Sequence, residues 1–458
     1  MLQDASMKIL TYVSVFILSA ISLVFHTIAS KTRPQIASGN DTYFLRFQKS
    51  YFKVYFLALF SDWLQGPYLY KIYSHYGFAH SQIAFLYVVG FAASGVLGTM
   101  TGPLADHFGR KKMCFAYTVL SSVCCMTKMS PKFYVLVFGR ILGGISTSML
   151  FSCFEAWYVH EHVEARGFPP EWVPVTLSKS TFWGGVLAMV AGIVANGTAE
   201  WADWGPVSPF MLALAPLAIS GVMIALTWSE NVGHSHQLGS EATSMSKVFG
   251  SLTKFCMEGL RCIWSREVIL LLGLIQSLFE SVMYTFVFLW TPVLDPGHPP
   301  LGVVFSCFML CMMIGSSLYS ILMASGYSSQ QILTLAVGLA MGCNAWCVIS
   351  AGPRTSFAAF LLLEIAVGLY YPSTGHLRSH LLPEEVRASV TNWFRVPMNF
   401  ITCGGLLWLS GDNASPQIAF ATSSILLLCS FLLSSRLIQQ CDRKSVSQDS
   451  VQSSTSVV

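Results

Sequence analysis

Charged side chains are scarce in this sequence. Only 10% of its 458 residues are charged and 53% are hydrophobic, whereas roughly a quarter of the residues in a soluble domain are charged. The few basic residues are not interleaved with aromatic ones, so no nucleic-acid partner is expected. This composition is typical of chains that use lipid as their solvent, and it predicts a multi-pass membrane protein.

Several motifs of enzyme chemistry are also missing. No G-x-x-x-x-G-K loop occurs, which argues against a protein that is driven directly by nucleotide hydrolysis. The thirteen Cys residues form no C-x-x-C pair and lie mostly within apolar runs, so they are interpreted as small core residues and not as a disulfide framework. His160, Glu161 and His162 do not share a helix face, and no H-E-x-x-H is present. No metal site, cofactor or enzyme activity is predicted.

Long apolar runs recur along almost the whole chain. A helix needs about twenty largely apolar residues to cross the hydrocarbon layer, and thirteen segments reach or approach that length. The first, Lys8 to Ala29, lacks a clear cleavage site and is interpreted as a retained helix, with a cleaved signal peptide as the alternative. Twelve core spans follow, at residues 51–73, 82–103, 113–129, 133–158, 176–197, 207–228, 267–290, 301–323, 330–350, 356–374, 392–410 and 416–436.

A polar break from Ser229 to Arg266 divides the twelve core spans six plus six. The predicted fold class is therefore all-α, with two six-helix bundles and one extra N-terminal helix. The predicted units are residues 1–50 (hydrophobic helix and cytoplasmic linker), 51–228 (first bundle), 229–266 (central cytoplasmic loop), 267–436 (second bundle) and 437–458 (disordered cytoplasmic tail).

Basic residues predict the orientation, because they favour the cytoplasmic side of a membrane. If the loop at Arg110 is cytoplasmic, most Lys and Arg residues fall inside. The sequons at Asn196 and Asn413 then lie in outside loops and are candidate glycosylation sites. A third sequon, at Asn40, would be cytoplasmic and unmodified.

The turn between the second and third core spans carries the string GPLADHFGRKK at 102–112, a G-x-x-x-D-x-x-G-R-K-K pattern. Gly102 and Gly109 permit a tight reversal, and Asp106 can accept hydrogen bonds or pair with a cation as a latch. Arg110 and Lys111 supply the basic run, and an ordinary positive-inside loop is the alternative. With this motif the chain resembles the major facilitator superfamily. The resemblance implies two six-helix halves around a path that opens alternately to either side.

Four ionisable residues fall at membrane depth: Asp62, Arg140, Glu280 and Glu364. A charge at the bilayer centre costs about 2.5 to 3.5 kcal/mol on insertion scales, so we expect these side chains to face a hydrated path or to pair. They lie on core spans one, four, seven and ten, which line the central cavity in the resembled superfamily. The alternative is structural, with Arg140 paired to Asp62 or another acid to lock helices together.

Two further charges, Glu155 and Arg395, lie nearer the cytoplasmic ends and are candidates for an inner gate. Long side chains there can also snorkel to the interface. Tyr284, Tyr370 and Tyr371 are candidate cavity aromatics, although packing is the commoner role of such residues.

A narrower resemblance, to the eukaryotic molybdate-anion transporter family, covers nearly the whole chain. It is carried by FLRFQ at 44–48, DWLQGPYLY at 62–70, FEAWYVHEH at 154–162, FESV at 279–282, FLWTPVLDP at 288–296 and NWFRVP at 392–397. The resemblance implies uptake of molybdate at the cell membrane.

Molybdate is a tetrahedral dianion, and a guanidinium fork suits two of its oxygens. Arg140 is therefore the first candidate for substrate contact and Arg395 the second. Asp62, Glu280 and Glu364 would repel a dianion when ionised, so we expect coupling to protons, with Glu280 or Glu364 as the proton site. A carrier of an organic cation or neutral solute explains the acids more directly, and a non-transporting membrane sensor or scaffold is a third alternative.

Overall fold

The computed structural model of the protein describes residues 2–32, 41–98, 100–231, 256–350, 352–383, 386–411 and 415–455. Within these ranges the chain is helical and contains no β-strand. Its α-helices in chain order are α1 (Leu2–Thr32), α2 (Thr42–Gln65), α3 (Leu69–His75), α4 (His80–Gly98), α5 (Thr101–Phe108), α6 (Arg110–Thr127), α7 (Phe133–His160), α8 (Val173–Asn196), α9 (Ser208–Thr227), α10 (256–265), α11 (Glu267–Leu294), α12 (Leu301–Ala324), α13 (Ser329–Ile349), α14 (Pro353–Leu381), α15 (Arg387–Leu409) and α16 (Pro416–Thr455).

Helices occur at each predicted span. Among the described residues, nine helices are long and apolar enough to cross a membrane, and α4 is a shorter apolar helix. Together they make the chain a multi-pass membrane protein. The first core span is broken, because a 3₁₀ turn at Gly66–Tyr68 separates α2 from α3. Pro67 in that turn has no backbone N–H to continue an α-helical ladder.

The predicted units differ from the structure at three places. The linker 1–50 contains the first turns of α2, where the Asp41 carboxylate accepts a hydrogen bond from the backbone N–H of Tyr43 at 2.8 Å. The central loop 229–266 contains α10, whose Cys256 carbonyl accepts a hydrogen bond from Trp393. The tail 437–458, for which disorder was predicted, is helical as far as Thr455, since no Gly or Pro follows Pro416 to interrupt α16.

The helices form two groups that meet along two pairs. Helices α2 to α9 pack mainly on one another, as do α11 to α16. The groups, here called the N-half and the C-half, touch where α8 packs on α12 and where α4 packs on α15. These two seams border the space between the halves.

Helix α1 lies across the α8/α12 seam and contacts both halves. On the N-half, Trp201 donates a hydrogen bond to the Tyr12 hydroxyl at 2.9 Å, and the rings of His26 and Phe182 stack at 3.9 Å. On the C-half, Cys307 reaches the Thr11 carbonyl at 3.7 Å. Helix α1 thus packs on both halves, and its retention, as against cleavage as a signal peptide, stays a prediction.

Glycines allow the closest approach of the halves. A Cβ added to Gly192 on α8 would overlap the Gly302 carbonyl and the Ser306 side chain on α12, and a Cβ on Gly302 would overlap the Gly192 carbonyl and Asn196. The Ser306 hydroxyl crosses the same contact to donate to the Met189 carbonyl at 2.7 Å. This packing of small residues is how membrane helices bring their backbones together.

Replacing Gly302 by Val should therefore destabilise the protein by about 1–3 kcal/mol, as other overpacked cores do. We expect a melting temperature several degrees lower, measured by fluorescence-detected size exclusion after heating. Gly342→Val is the matched control, because a Cβ there would meet nothing within 4 Å. Equal melting temperatures for the two variants would contradict a tight seam.

Candidate translocation path

The halves are closed against each other at one end, the end that the charge distribution predicts to face outside. Lys71 on α3 donates to Asp295 of the C-half at 2.6 Å. Glu200, which follows α8, accepts from the Tyr68 hydroxyl at 2.9 Å and from the backbone N–H of Leu301 at 3.2 Å. We call this end the outer end.

Aromatic side chains extend this closure inward. The Phe288 ring of the C-half lies 5.6 Å from Tyr70, 4.9 Å from His80 and 5.3 Å from Tyr87. Below them the rings of Phe91 on α4 and Tyr284 on α11 meet at 4.9 Å. The path between the halves is thus filled from the outer end to about the level of Tyr284.

The predicted inner-gate residues lie toward the opposite end. Glu155 and Arg395 are both exposed and do not contact each other. By contrast, the ion pair of Lys71 with Asp295 and the hydrogen bond of the Leu301 N–H to Glu200 join the halves at the outer end. In this conformation the outer end is closed and the inner-gate residues are apart.

Asp62 and Glu155 are the predicted acids of the N-half. Asp62 is half-buried on α2 and Glu155 is exposed on α7. Neither side chain is fully buried in the N-half.

Arg140 stands apart from these acids. Its Nε donates to the Leu86 carbonyl on α4 at 3.0 Å, and its guanidinium lies over the Tyr87 ring, 5.2 Å from the centroid. Gly90 provides the room, because a Cβ there would overlap the guanidinium. No carboxylate of the described part of the chain lies within 4 Å of Arg140. The predicted alternative, an ion pair with Asp62, is not formed in this conformation.

Glu280 and Glu364 belong to the C-half. Glu280, on α11, accepts a hydrogen bond from the Tyr370 hydroxyl at 3.1 Å. Glu364, on α14, is only 7% exposed and has no hydrogen-bond partner among the residues described. The two predicted acids of this half therefore differ in their surroundings.

Sequence reasoning missed Arg378. The predicted span ended at Thr374, which left Arg378 among the loop cations. Helix α14 instead continues to Leu381, so Arg378 lies two turns beyond Tyr371 on the same face. The missed signal was the seven-residue spacing between Tyr371 and Arg378.

The glycine-rich turn joins α5 to α6 at Gly109, whose φ of 103° suits glycine. Beyond it, the backbone N–H of Lys111 donates to the Glu230 carboxylate at 3.0 Å, and that of Arg110 donates to the Asn231 carbonyl at 2.9 Å. The Asp106 side chain and the burial of Gly102 lie outside what the structure describes. Among the described residues, the carboxylate that holds this turn is that of Glu230. It lies at the N-terminus of α6, where the helix dipole favours an anion.

The site predictions outside the path have mixed outcomes. The Asn196 side chain is fully buried and accepts from the Tyr68 hydroxyl at 3.2 Å. A glycan on Asn196 is therefore incompatible with this fold, and that prediction is wrong for the folded state. Asn413 lies outside the described residues.

The side chains of the His160–Glu164 segment do not converge on one point. His160 pairs with Glu164 at 3.0 Å, while Glu161 pairs with Arg166 at 3.1 Å.

Breaking the Lys71–Asp295 pair should favour opening at the outer end. Both side chains are about one-third exposed, so we expect an effect of only about two- to fivefold, as for other exposed pairs. The measurement is labelling of Tyr70→Cys by an impermeant maleimide in intact cells, in a background without reactive cysteines.

Lys71→Asp and Asp295→Lys should each speed this labelling, and the charge-swapped double variant Lys71→Asp, Asp295→Lys should return it to the starting rate. A labelling rate that neither single substitution changes would show that the pair does not hold the outer end closed.

Comparison with known proteins agrees with this architecture. A family profile described as sugar transporters with 12 transmembrane segments matches residues 11–360. Among solved structures, a POT family transporter in complex with a thioalcohol-conjugated peptide superposes with a TM-score of 0.68 at 11% identity, covering 91% of this chain and 99% of that one. A D-xylose–proton symporter gives 0.64 at 12% identity, covering 85% and 97%. At such identities the likeness speaks for the fold alone.

Curated relatives share much more of the sequence. Proteins named molybdate-anion transporter are 42% identical over 424 residues in Takifugu rubripes (89% of this chain, 88% of the relative) and 42% over 432 residues in Xenopus laevis (90% and 92%). The Danio rerio protein of that name is 44% identical over 398 residues (82% of each). The predicted fold class is confirmed, whereas the count of twelve spans plus one stays a prediction. The chain belongs to the molybdate-anion transporter family of the major facilitator superfamily.

Proposed function

We propose that this protein is a secondary transporter that takes up molybdate across the cell membrane by alternating access. The observation that carries the proposal is the 42–44% identity, over most of the chain, to proteins named molybdate-anion transporter. The structure supports this with a closed outer end and inner-gate residues that lie apart, which we interpret as a state open to the cytoplasm. In this state a solute bound between the halves would be released to the cytoplasm.

The proposed transport cycle uses the residues that face this path. Closing the inner end would bring Glu155 and Arg395 together as an inner gate. Opening the outer end would break the Lys71–Asp295 pair. The exposed apolar side chains of α1, such as Phe16 at 76% and Leu23 at 68%, would face lipid while α1 stays attached to both halves.

Arg140 would supply positive charge to the anion on the N-half side. Its Nε is fixed by the Leu86 carbonyl and its ring neighbour is Tyr87, which leaves the terminal guanidinium nitrogens as donors. A guanidinium held in place loses little entropy on binding two oxygens of a tetrahedral anion.

We further propose that a proton travels with the anion and that Glu364 carries it. Two carboxyls were candidates, and their surroundings differ. Glu280 accepts a hydrogen bond from the Tyr370 hydroxyl, which compensates part of its charge. Glu364 is buried and has no such partner among the described residues. An uncompensated charge at membrane depth is costly, so Glu364 is the acid better suited to exchange a proton.

The test of function is uptake of radiolabelled molybdate by cells expressing the protein at their surface. We expect uptake above that of untransfected cells and a reduction of at least about tenfold for Arg140→Gln, as for loss of a charged hydrogen bond. Arg436→Gln, an exposed arginine on α16, is the matched control. Competition by excess sulfate would measure selectivity.

A carrier of an organic cation or neutral solute is the alternative that the acids at membrane depth would suit, but the relatives named molybdate-anion transporter do not favour it. It requires that molybdate uptake be no greater than background and that Arg140→Gln be tolerated.

Proton coupling makes a separate prediction. Uptake by the wild type should rise when the outside is acidified and fall with an uncoupler. Glu364→Gln should remove both responses, because an amide cannot release a proton. Glu171→Gln, an exposed residue outside the path, should leave both responses intact. Wild-type uptake that is insensitive to the proton gradient would contradict the coupling.

A further inference from the structure

Helix α10 is a short helix that directly precedes the C-half. It covers residues 256–265 and ends one residue before α11, the apolar span that begins at Glu267. Arg266, between the two helices, has an extended backbone with φ of −133° and ψ of 107°, so the helical path is broken there. Helix α10 therefore lies where the chain enters the membrane, at the end opposite the outer end.

One face of α10 is fixed to the protein. The Cys256 carbonyl accepts a hydrogen bond from the Trp393 indole N–H on α15 at 2.8 Å. A Cβ added to Gly259 would overlap the Ser389 side chain, also on α15. Ile263 is only 7% exposed. Since positions 256, 259 and 263 share one side of a helix, this is the face through which α10 packs.

The other face of α10 is uncovered. Met257 is 55% exposed and Trp264 is 73% exposed. Arg261 lies between them, is exposed, and forms no ion pair with any described residue. The spacing i, i+4, i+7 places these three side chains on one stripe. Helix α10 thus presents two large apolar side chains and one cation away from the protein.

The charges around this stripe favour an anionic surface. Arg261 is the only charged residue on it. Glu258 lies about 100° around the helix from Met257, on the flank. Glu267, the first residue of α11, accepts a hydrogen bond from Gln440 at 3.1 Å. The stripe itself therefore carries a net positive charge.

This combination of side chains matches the headgroup layer of a bilayer. Trp is enriched where an apolar ring can reach the acyl chains and the indole N–H can reach polar groups. An Arg stem covers apolar surface while its guanidinium binds phosphate. A protein partner would also suit an apolar stripe, but α10 is joined to a span by a single residue. That attachment holds it against the bilayer around the span, as in other interfacial helices.

We propose that Met257, Arg261 and Trp264 dock α10 on the anionic headgroup layer of the cytoplasmic leaflet. Lipids of that leaflet carry negative charge, which a guanidinium near the surface attracts. Because Trp393 ties α10 to α15, docking would anchor the end of α15 that carries Arg395. The inference concerns a lipid partner and does not depend on which solute the protein carries.

The test is the membrane depth of a nitroxide on the full-length protein, reconstituted in phosphatidylcholine vesicles with or without phosphatidylserine. The label is placed on Met257→Cys in a background without reactive cysteines. EPR power saturation then compares collisions with oxygen, which concentrates in lipid, and with a water-soluble nickel complex. Glu258→Cys is the matched control, because residue 258 is also exposed but lies on the flank. The oxygen-to-nickel ratio should be several-fold higher at position 257 than at position 258.

Arg261 makes the lipid dependence testable. Phosphatidylserine should raise the ratio at position 257 further, and Arg261→Gln should remove most of that rise, because an amide carries no charge. Arg46→Gln, an exposed arginine of the N-half, should retain it. A rise that is equal in the Arg261→Gln variant and its parent would overturn the selection of anionic lipid.

The same measurement can overturn the docking itself. Equal ratios at positions 257 and 258 in both kinds of vesicle would place the stripe in water and leave it free for a protein partner. If Met257→Cys does not run as a single species in size exclusion, Trp264→Cys replaces it, with the exposed neighbour Ser265→Cys as its control. The expected difference between those two positions is the same.

Discussion

The close contact of α8 and α12 holds the two halves together at the outer end in this conformation. Gly192 and Gly302 leave no space for a side chain between these helices, so the halves meet there in backbone contact. The ion pair of Lys71 with Asp295 and the hydrogen bonds of Glu200 extend the same closure. A path that is sealed by packing at one end must exchange solute at the other.

The ionisable residues at membrane depth are accommodated in different ways. A charge at membrane depth must be paired, hydrated or neutral, and the structure uses different solutions for different residues. Arg140 is bonded to a backbone carbonyl and rests on an aromatic ring. Glu280 accepts a hydrogen bond from Tyr370, whereas Glu364 is buried without a partner among the described residues. The proton exchange that we propose for Glu364 follows from this difference.

Much of the fold could be predicted from the sequence because the length of an apolar run is set by consecutive residues. The helix positions, the break into two groups and the turn at Gly109 were all visible as runs, gaps and spacing. Asp62, Glu280 and Glu364 were found in the same way, as rare charges in apolar surroundings. Helix ends were harder to predict, since polar residues such as Arg378 can continue a helix once it is packed.

Tertiary contacts explain the remaining differences. Nothing local distinguishes Asn196 in an exposed sequon from Asn196 buried under Tyr68. The separation of Arg140 from Asp62 depends on Gly90, which is distant in sequence and opens a space for the guanidinium. The role of Glu230 beside Lys111 likewise joins residues more than a hundred positions apart.

The central claim is that the protein carries molybdate by alternating exposure of one site. Counterflow tests it most directly: purified protein is reconstituted into liposomes loaded with unlabelled molybdate, and labelled molybdate is added outside without any ion gradient. Alternating access predicts a transient accumulation of label inside, above its equilibrium level. Label that enters no faster than into protein-free liposomes, or that only equilibrates without an overshoot, would contradict the account.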